Sequence, residues 1–356
     1  MVSGAIKLAV VAVAAAWITP TDLRVQDERF ELAGDRVAVY NLAGTVTIIT
    51  GTGSSVVVEV SPMGADADDL TFLTGDACGA NALRIIYPDD DIVYTDQTGN
   101  TQLNVREDGT FYGHRNWHRR EDWGCHRDGD WDDWDDRIRI RSRGRGAEVH
   151  ADLTIAVPAG KILEIYLGAG TVEASNVSGT LIVDVGAAEV ATRNTDGRLF
   201  IDTGSGDVTV ADVTGEVIVD TGSGNVDVDR MSGPFLIVDT GSGGVGGGHI
   251  TVDELNVDTG SGSVRLDAVS APDVIVDTGS GSVELDLLAD VESLSVDTGS
   301  GSVDVMVPST LDARVEIDTG SGGIDVDFPI SVRRWERNHV EGVIGQGLGR
   351  GFIDTG

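Results

Sequence analysis

One five-residue motif, Asp-Thr-Gly-Ser-Gly, recurs at a nearly fixed interval through the second half of the chain and limits how that half can fold. A regular interval of about 20 residues indicates a stack of identical structural units. Weaker copies precede the repeats at Leu167 and Asp184, and Asp354-Thr355-Gly356 repeats the first three residues of the motif. The full copies are separated by 18, 19, 19, 19, 20 and 21 residues, and they begin at Asp202, Asp220, Asp239, Asp258, Asp277, Asp297 and Asp318.

Each repeat contains two short stretches in which apolar residues alternate with others. Val217 and Val219 stand three positions and one position before Asp220, and the alternation resumes after the motif at Val226 and Val228. A period of two predicts strands with one buried face, and the Gly-Ser-Gly between them predicts a turn. Each repeat therefore contributes two strands and one corner.

A unit of this size cannot bury its apolar face alone, whereas copies stacked about 4.8 Å apart form one continuous core. We therefore predict an all-β fold, a β-solenoid (β-helix) of about 19-residue two-strand rungs with DTGSG corners. The alternative is a series of antiparallel hairpins around each Gly-Ser-Gly, and the regular interval favours the solenoid. We also expect a thin spot in the core at Gly247, where an inward side chain is missing.

The composition changes along the chain and predicts five regions. Alternation at Val56, Val58 and Val60 makes the N-terminal region strand-like, and we expect it to cap the stack because an open end exposes strand edges. The last region stops inside its motif, as a truncated chain would. The regions are a signal peptide at 1–19, a β-strand cap at 28–112, a charged insert at 113–146, the solenoid at 147–328 and a partial rung at 329–356.

The N-terminus has the pattern of an export signal. Lys7 precedes an apolar run from Leu8 to Ile18, which is too short for a comfortable membrane span and includes small residues suited to cleavage at Ala14–Ala16. We expect export to the periplasm, the outer cell envelope or the extracellular space. The only cysteines, Cys78 and Cys125, either pair in such an oxidising compartment or remain two thiols.

The chain is strongly acidic, with 59 Asp and Glu against 25 Lys and Arg and a net charge of -34. This charge disfavours nucleic-acid binding because phosphate backbones are repelled. In a solenoid the motif aspartates would line up about 4.8 Å apart, so their repulsion needs relief. We predict that turn amides donate to each carboxylate, and bound calcium is the alternative.

Two motifs resemble enzyme signatures without their context. Ile218-Val219-Asp220-Thr221-Gly222-Ser223 matches the loop of pepsin-type aspartic proteases, which need two carboxylates that share one proton across a cleft. Seven copies at rung spacing leave no room for separate lobes. The Gly241–Gly246 segment fits GxGxxG, but no helix is predicted after it, so we reject nucleotide binding.

The charged insert carries residues of metal-ligand type in an unfavourable pattern. Their spacing fits no compact zinc site, and Asp133 stands where an EF-hand loop needs Gly. We predict a solvated loop and assign no catalytic, cofactor-binding or metal residues. The insert contains Trp117, Trp123, Trp131 and Trp134, with His114, His118, Cys125, His126, Asp128, Asp130, Asp132, Asp133, Asp135 and Asp136.

The segment from Gly179 to Val228, with the lead-in Ala151–Ala174 and its Val157-Pro158-Ala159-Gly160, resembles the bacterial adhesin family of β-strand repeat proteins, also described as toastrack-like domains. The resemblance covers Ala147–Phe328 well and Arg36–Thr74 loosely. It implies an exported or envelope-associated protein and no catalytic residues.

Three functional hypotheses follow from the architecture and the resemblance. The first is a non-enzymatic adhesin or protein-interaction module with an unknown protein or cell-surface partner and no small-molecule substrate. The second is an envelope-stress regulatory or sensing module, and the third is an aspartic hydrolase.

Overall fold

The structure, a computed structural model, describes residues 27–96, 99–111 and 136–356. Within these ranges the regular elements are strands, apart from one short 3-10 turn at Ala67–Asp69. No helix in the described ranges is long and apolar enough to cross a bilayer. The predicted signal peptide at 1–19 lies outside the described residues.

The strands form a small N-terminal set and a long repeat series. The first set is β1 (Glu28–Leu32), β2 (Arg36–Thr50), β3 (Val56–Met63), β4 (Thr71–Ala77), β5 (Ala80–Ile86), β6 (Asp91–Val93), β7 (Asn100–Val105), β8 (Asp136–Arg141) and β9 (Ala147–Glu148). The series is β10 (His150–Val157), β11 (Lys161–Ser175), β12 (Ser178–Ser205), β13 (Val208–Thr221), β14 (Val226–Thr240), β15 (Val245–Thr259), β16 (Val264–Ser270), β17 (Asp273–Thr278), β18 (Val283–Leu287), β19 (Ser293–Thr298), β20 (Val303–Met306) and β21 (Ala313–Thr319). The chain ends with β22 (Ser331–Glu336), β23 (His339–Ile344) and β24 (Gly349–Thr355).

The repeats stack as parallel strands with equivalent residues opposite each other. Asp202 lies opposite Asp220, and the same register continues through the motif aspartates as far as Asp297. The second strands of the rungs are paired in the same way, so that Val208 lies opposite Val226. The predicted β-solenoid is therefore confirmed, and antiparallel hairpins around Gly-Ser-Gly are excluded because neighbouring rungs are parallel.

The core lies between the two strands of each rung. Val217 and Val219 before the motif and Val226 and Val228 after it are all almost completely buried. Because the same positions are apolar in successive rungs, these side chains form continuous columns along the stack. The inward positions were predicted correctly from the period of two.

A second corner, which was not predicted from the sequence, follows the second strand in six successive rungs. One non-glycine residue in each of these rungs has a φ between 53° and 57°, a left-handed conformation that Asn and Asp tolerate best. Five of the six lie ten residues after a motif aspartate, and Asn176 lies ten residues after Tyr166, the residue opposite Asp184. The six are Asn176, Asn194, Asp212, Arg230, His249 and Ala268.

Gly247 stands in an inward column, between Val228 and Leu266 on the neighbouring strands. Its φ is +149°, and a Cβ atom there would lie 1.9 Å from the carbonyl oxygen of Val228. The missing side chain predicted from the sequence is real. The backbone comes so close at this point that no side chain fits there.

The N-terminal region continues the stack and then closes it. β2 pairs in parallel with β11 and is a rung in its own right. Beyond it, β5 and β10 continue in parallel, and the antiparallel strands β4, β3 and β1 end the sheet.

A second, small sheet contains β7, β8, β6 and β9, and β7 contacts β11 and β12. The prediction of a loop throughout the insert is wrong for Asp136–Arg141, which forms β8. Its Ile138 and Ile140 alternate with arginines and are buried. This alternation has a period of two, but it contains only two apolar residues in a highly charged segment, so the strand was not predicted.

The C-terminal end departs from the predicted order of rungs. β24, which carries the incomplete motif at Asp354, lies between β19 and β21, so Asp297 and Asp318 are not neighbours. β23 then pairs antiparallel with β21, and β22 pairs antiparallel with β23. The repeat pattern predicts a second strand after the motif at Asp318, with Ile324 and Val326 pointing inward, but both residues lie in irregular chain because the backbone leaves the stack after β21.

Candidate functional site

The motif aspartates form one row on the outer face of the stack, which is the face that points away from the core on the strand before each corner. We call this the carboxylate row. Apart from Asp184 and Asp202, which both belong to the long strand β12, neighbouring members lie on adjacent strands, which are about 4.8 Å apart in a sheet. The row consists of Asp184, Asp202, Asp220, Asp239, Asp258, Asp277, Asp297, Asp354 and Asp318.

The first two members of the row are buried. Asp184 is 7% exposed and Asp202 is 2% exposed, and both lie on β12, which the small sheet contacts. Burial, together with the neighbouring charges of Asp184 and Asp220, raises the pKa of Asp202 to about 8. The carboxyl of Asp202 therefore holds its proton at neutral pH, unlike an ordinary aspartate.

An ion pair lies beside this end of the row. Its carboxylate, Glu164, is on β11, two residues before the position opposite Asp184. Glu164 is 2% exposed and pairs with Arg36 on β2. The hydroxyl of Tyr166 donates to the other carboxylate oxygen of Glu164 at 3.0 Å, and burial raises the pKa of Tyr166 well above its ordinary value. Tyr166 stacks on Tyr40, with ring centroids 4.3 Å apart. These groups hold one another in place and anchor the first rungs.

The later members of the row, from Asp239 to Asp297, are exposed. Burial and the neighbouring charge of Asp239 raise the pKa of Asp258. The side chains therefore present a line of carboxylates to solvent.

The corner itself is held by threonine. The Thr259 hydroxyl donates to the carbonyl of Gly243 in the preceding rung at 2.9 Å and accepts the amide of Gly262 in its own rung at 3.0 Å. Thr278 repeats both bonds at 2.8 and 3.0 Å. The prediction that aspartate accepts the turn amides is wrong at these rungs, because the buried threonine takes that amide. The sequence held the signal, since the threonine is as invariant among the copies as the aspartate.

At the C-terminal end the row meets a histidine. The Nδ1 atom of His339 lies 2.7 Å from Oδ1 of Asp318, and Glu316 offers a third ligand atom within 4.8 Å of the others. These are metal-ligand types, held at the outer face by β21 and β23. Sequence analysis assigned no metal residues and had no spacing pattern to join them, because the antiparallel strand brings His339 into place.

A groove of about 500 Å³ lies beside this cluster on the same face. β24, β21 and β22 contribute Arg350, Arg314 and Arg333 to its wall, and Phe352 of β24 also lines it. None of these residues was singled out from the sequence.

The other candidates from the sequence fall into two groups. Gly241–Gly246 forms a corner and the start of β15, so a strand follows the glycines where a nucleotide site needs a helix. The candidate ligands between His114 and Asp135 lie outside the described residues. Cys78 is disulfide-bonded, and Cys125 also lies outside the described residues.

The parallel, in-register rungs define a β-solenoid repeat protein. A family model described as Toastrack DUF4097 matches residues 148–350, which is more than half of the chain. The chain therefore belongs to the Toastrack DUF4097 family. No curated protein matches it, and no solved structure matches it. Membership confirms the toastrack-like resemblance and the fold, and it assigns no ligand or reaction.

Proposed function

We propose that this protein is an exported, non-enzymatic interaction module of the cell envelope that holds its partner on the outer face of the stack. The observation that supports this most is the exposed part of the carboxylate row, where Asp239, Asp258, Asp277 and Asp297 stand in register on adjacent strands. A row of identical groups on a hydrogen-bonded sheet is rigid and extended, which suits a long partner better than a small substrate.

The charge of the row favours a cationic partner. Closely spaced carboxylates attract basic side chains or cations and speed their encounter with the surface. An adhesin or an interaction module requires an accessible surface of this kind. We therefore place the binding residues at the exposed end of the row.

Catalysis by a carboxylate pair is not part of the proposal. The motif aspartates stand side by side on one face, and the pair with the strongest mutual influence, Asp184 and Asp202, is buried. A protease needs two carboxylates that reach a water and a substrate between two lobes.

Capture from envelope extracts with the full chain tests the proposal. The double variant Asp258→Asn with Asp277→Asn should lose the captured partner. The control, Asp227→Asn with Asp304→Asn, removes the same charge from exposed positions on the second strand of the rung and should retain it. Equal capture by both variants would contradict the placement of the site.

Export is tested separately by N-terminal sequencing of the protein from the envelope fraction. We expect a mature start after about Ala16, since small residues follow a short apolar run. Recovery of the intact chain in the cytoplasm would contradict the proposed location.

One observation favours a sensing module as a second candidate. The pKa of Asp202 is about 8, so the charge at the buried end of the row changes in the range that an envelope protein meets. Partner capture that changes between pH 6.5 and 9 and becomes independent of pH in Asp202→Asn would favour sensing over adhesion.

A further inference from the structure

The arginines of the repeat half are concentrated at its C-terminal end. Between Arg265 and Arg314 the chain has ten carboxylate residues and no Lys or Arg, yet five arginines follow between Arg314 and Arg350. Within the repeat half of this acidic chain, an anion therefore meets less repulsion at this end than along the preceding rungs.

Two of these arginines are direct neighbours in the sheet. Arg314 on β21 lies opposite Arg350 on β24, and both line the groove. Like charges opposite each other destabilise a strand pair. Within the described residues neither guanidinium has an ion pair, whereas Arg198, Arg230 and Arg265 in the repeats pair with carboxylates at 3.0, 2.6 and 2.5 Å. An anion held between Arg314 and Arg350 would supply the missing counter-charge.

The rest of the groove indicates which anion fits. Phe352 is 39% exposed and lies next to Glu316 across the strand pair. Ser293 and Ser295 line one side, and Glu341 lines the other. The groove thus combines a carboxylate-binding pair, an aromatic ring, two hydroxyls and two carboxylates that accept hydrogen bonds.

We propose that this groove binds an acidic polysaccharide whose sugar residues carry carboxylates. Arg314 and Arg350 bind the sugar carboxylate, Phe352 packs against the apolar face of a sugar ring, and Glu316 and Glu341 accept bonds from its hydroxyls. The two glutamates repel a dense anion such as polyphosphate. The volume lies within the range of small-ligand sites, roughly 300–1,000 Å³.

This inference goes beyond the proposed function, because the groove is a separate site from the exposed aspartates assigned above and its ligand is an anion. Titration calorimetry of the full chain with an oligogalacturonate tests it, and a neutral oligosaccharide of equal length and a polyphosphate of equal charge serve as comparisons. We expect measurable binding to the oligogalacturonate alone, weakening as salt is raised.

The variants separate the groove from the general charge of the protein. Arg314→Gln and Arg350→Gln should each weaken binding at least tenfold, and Phe352→Leu should weaken it several-fold. Arg265→Gln removes one exposed, paired arginine elsewhere and should change affinity less than twofold. Thermal unfolding of each variant confirms that it folds. A further variant, Glu341→Gln, should weaken binding without removing positive charge.

Three outcomes would overturn the inference. They are no preference for the oligogalacturonate over the neutral sugar, equally tight binding of polyphosphate, or the same loss in Arg265→Gln as in the groove variants. None of these outcomes bears on export or on partner capture by the exposed aspartates, so failure here is distinguishable from failure of the proposed function.

Discussion

The two ends of the carboxylate row carry the same residue in the same motif and the same register, yet they differ in chemistry. Asp202 is 2% exposed with a pKa raised to about 8, whereas Asp277 and Asp297 face solvent. The repeat sequence fixes where the aspartate stands on the rung. The small sheet, which is not part of the repeat, contacts β12, the strand that carries the buried Asp184 and Asp202.

The neighbouring threonine shows the opposite behaviour. Thr203 at the buried end and Thr278 at the exposed end are both completely buried. The threonine is therefore the structural element of the corner, and the aspartate is left available for a role that varies along the stack.

The largest effect should come from Val219→Asp, which places a charge on the inward side of β13. We expect a loss of about 3–5 kcal/mol in the free energy of unfolding, because the new carboxylate is buried without a partner. The control, Asp220→Asn, changes the next residue on the outer face and should cost less than about 1 kcal/mol. Equal losses in urea unfolding would show that the inward and outward faces are wrongly assigned.

The second prediction concerns pH and the buried end. The pKa of Asp202 is raised from 3.8 to about 8, so the folded state binds the extra proton and its stability falls as pH rises from about 4 to about 8. Asp202→Asn cannot ionise. It should match the wild type below about pH 4 and exceed it by several kcal/mol at pH 9.

Asp277→Asn is the matched control for this prediction, since it removes the same charge from the exposed end. It leaves the buried carboxyl unchanged, so stability should still fall with rising pH as in the wild type. If the fall in stability with rising pH remains in Asp202→Asn and disappears in Asp277→Asn, the exposed carboxyl and not the buried one carries the raised pKa.

A smaller effect is expected from Thr278→Val, which removes the corner hydroxyl and keeps the shape of the side chain. The amide of Gly281 and the carbonyl of Gly262 then lose a partner, so unfolding should be easier by about 1–2 kcal/mol. The matched change Ser280→Ala alters an exposed hydroxyl of the same motif and should have almost no effect in chemical denaturation. If Ser280→Ala lowers the free energy of unfolding as much as Thr278→Val does, the threonine hydroxyl is not the group that stabilises the corner.

The smallest effect should come from cations at the exposed end. The repulsion between neighbouring carboxylates in water is about 0.8 kcal/mol at about 5 Å, and salt screens it. We expect calcium and sodium at equal ionic strength to raise the melting temperature equally, since each rung offers one carboxylate and few other fixed oxygens. A larger shift in calcium that Asp258→Asn reduces would instead establish a bridging cation.

The sequence was sufficient for the features that repeat. The period of two identified the inward residues Val217, Val219, Val226 and Val228, and the fixed interval predicted parallel rungs. It also located the missing side chain at Gly247. The close approach of Val228 to that glycine depends on backbone geometry that no residue pattern records.

The features that the sequence did not predict depend on contacts between distant segments. β24 lies between β19 and β21 because strands that carry the same motif pair with one another. Since the motifs are alike, the sequence does not say in which order these strands pair. Asp184 and Asp202 are buried on β12, which the small sheet contacts, and the pair of Arg314 with Arg350 requires β24 to lie beside β21. The role of threonine was missed because both Asp and Thr are plausible turn residues and only burial separates them.

The central claim is that burial, which differs along the row, sets the pKa of each aspartate, and that the repeated motif does not. The titration of one residue tests it most directly. Carbon-detected NMR of the full chain, with Asp202→Asn used to assign the signal, gives the pKa of that carboxyl. The account predicts a value of about 8 for Asp202. A value close to 3.8, the ordinary pKa of an aspartate, would contradict it.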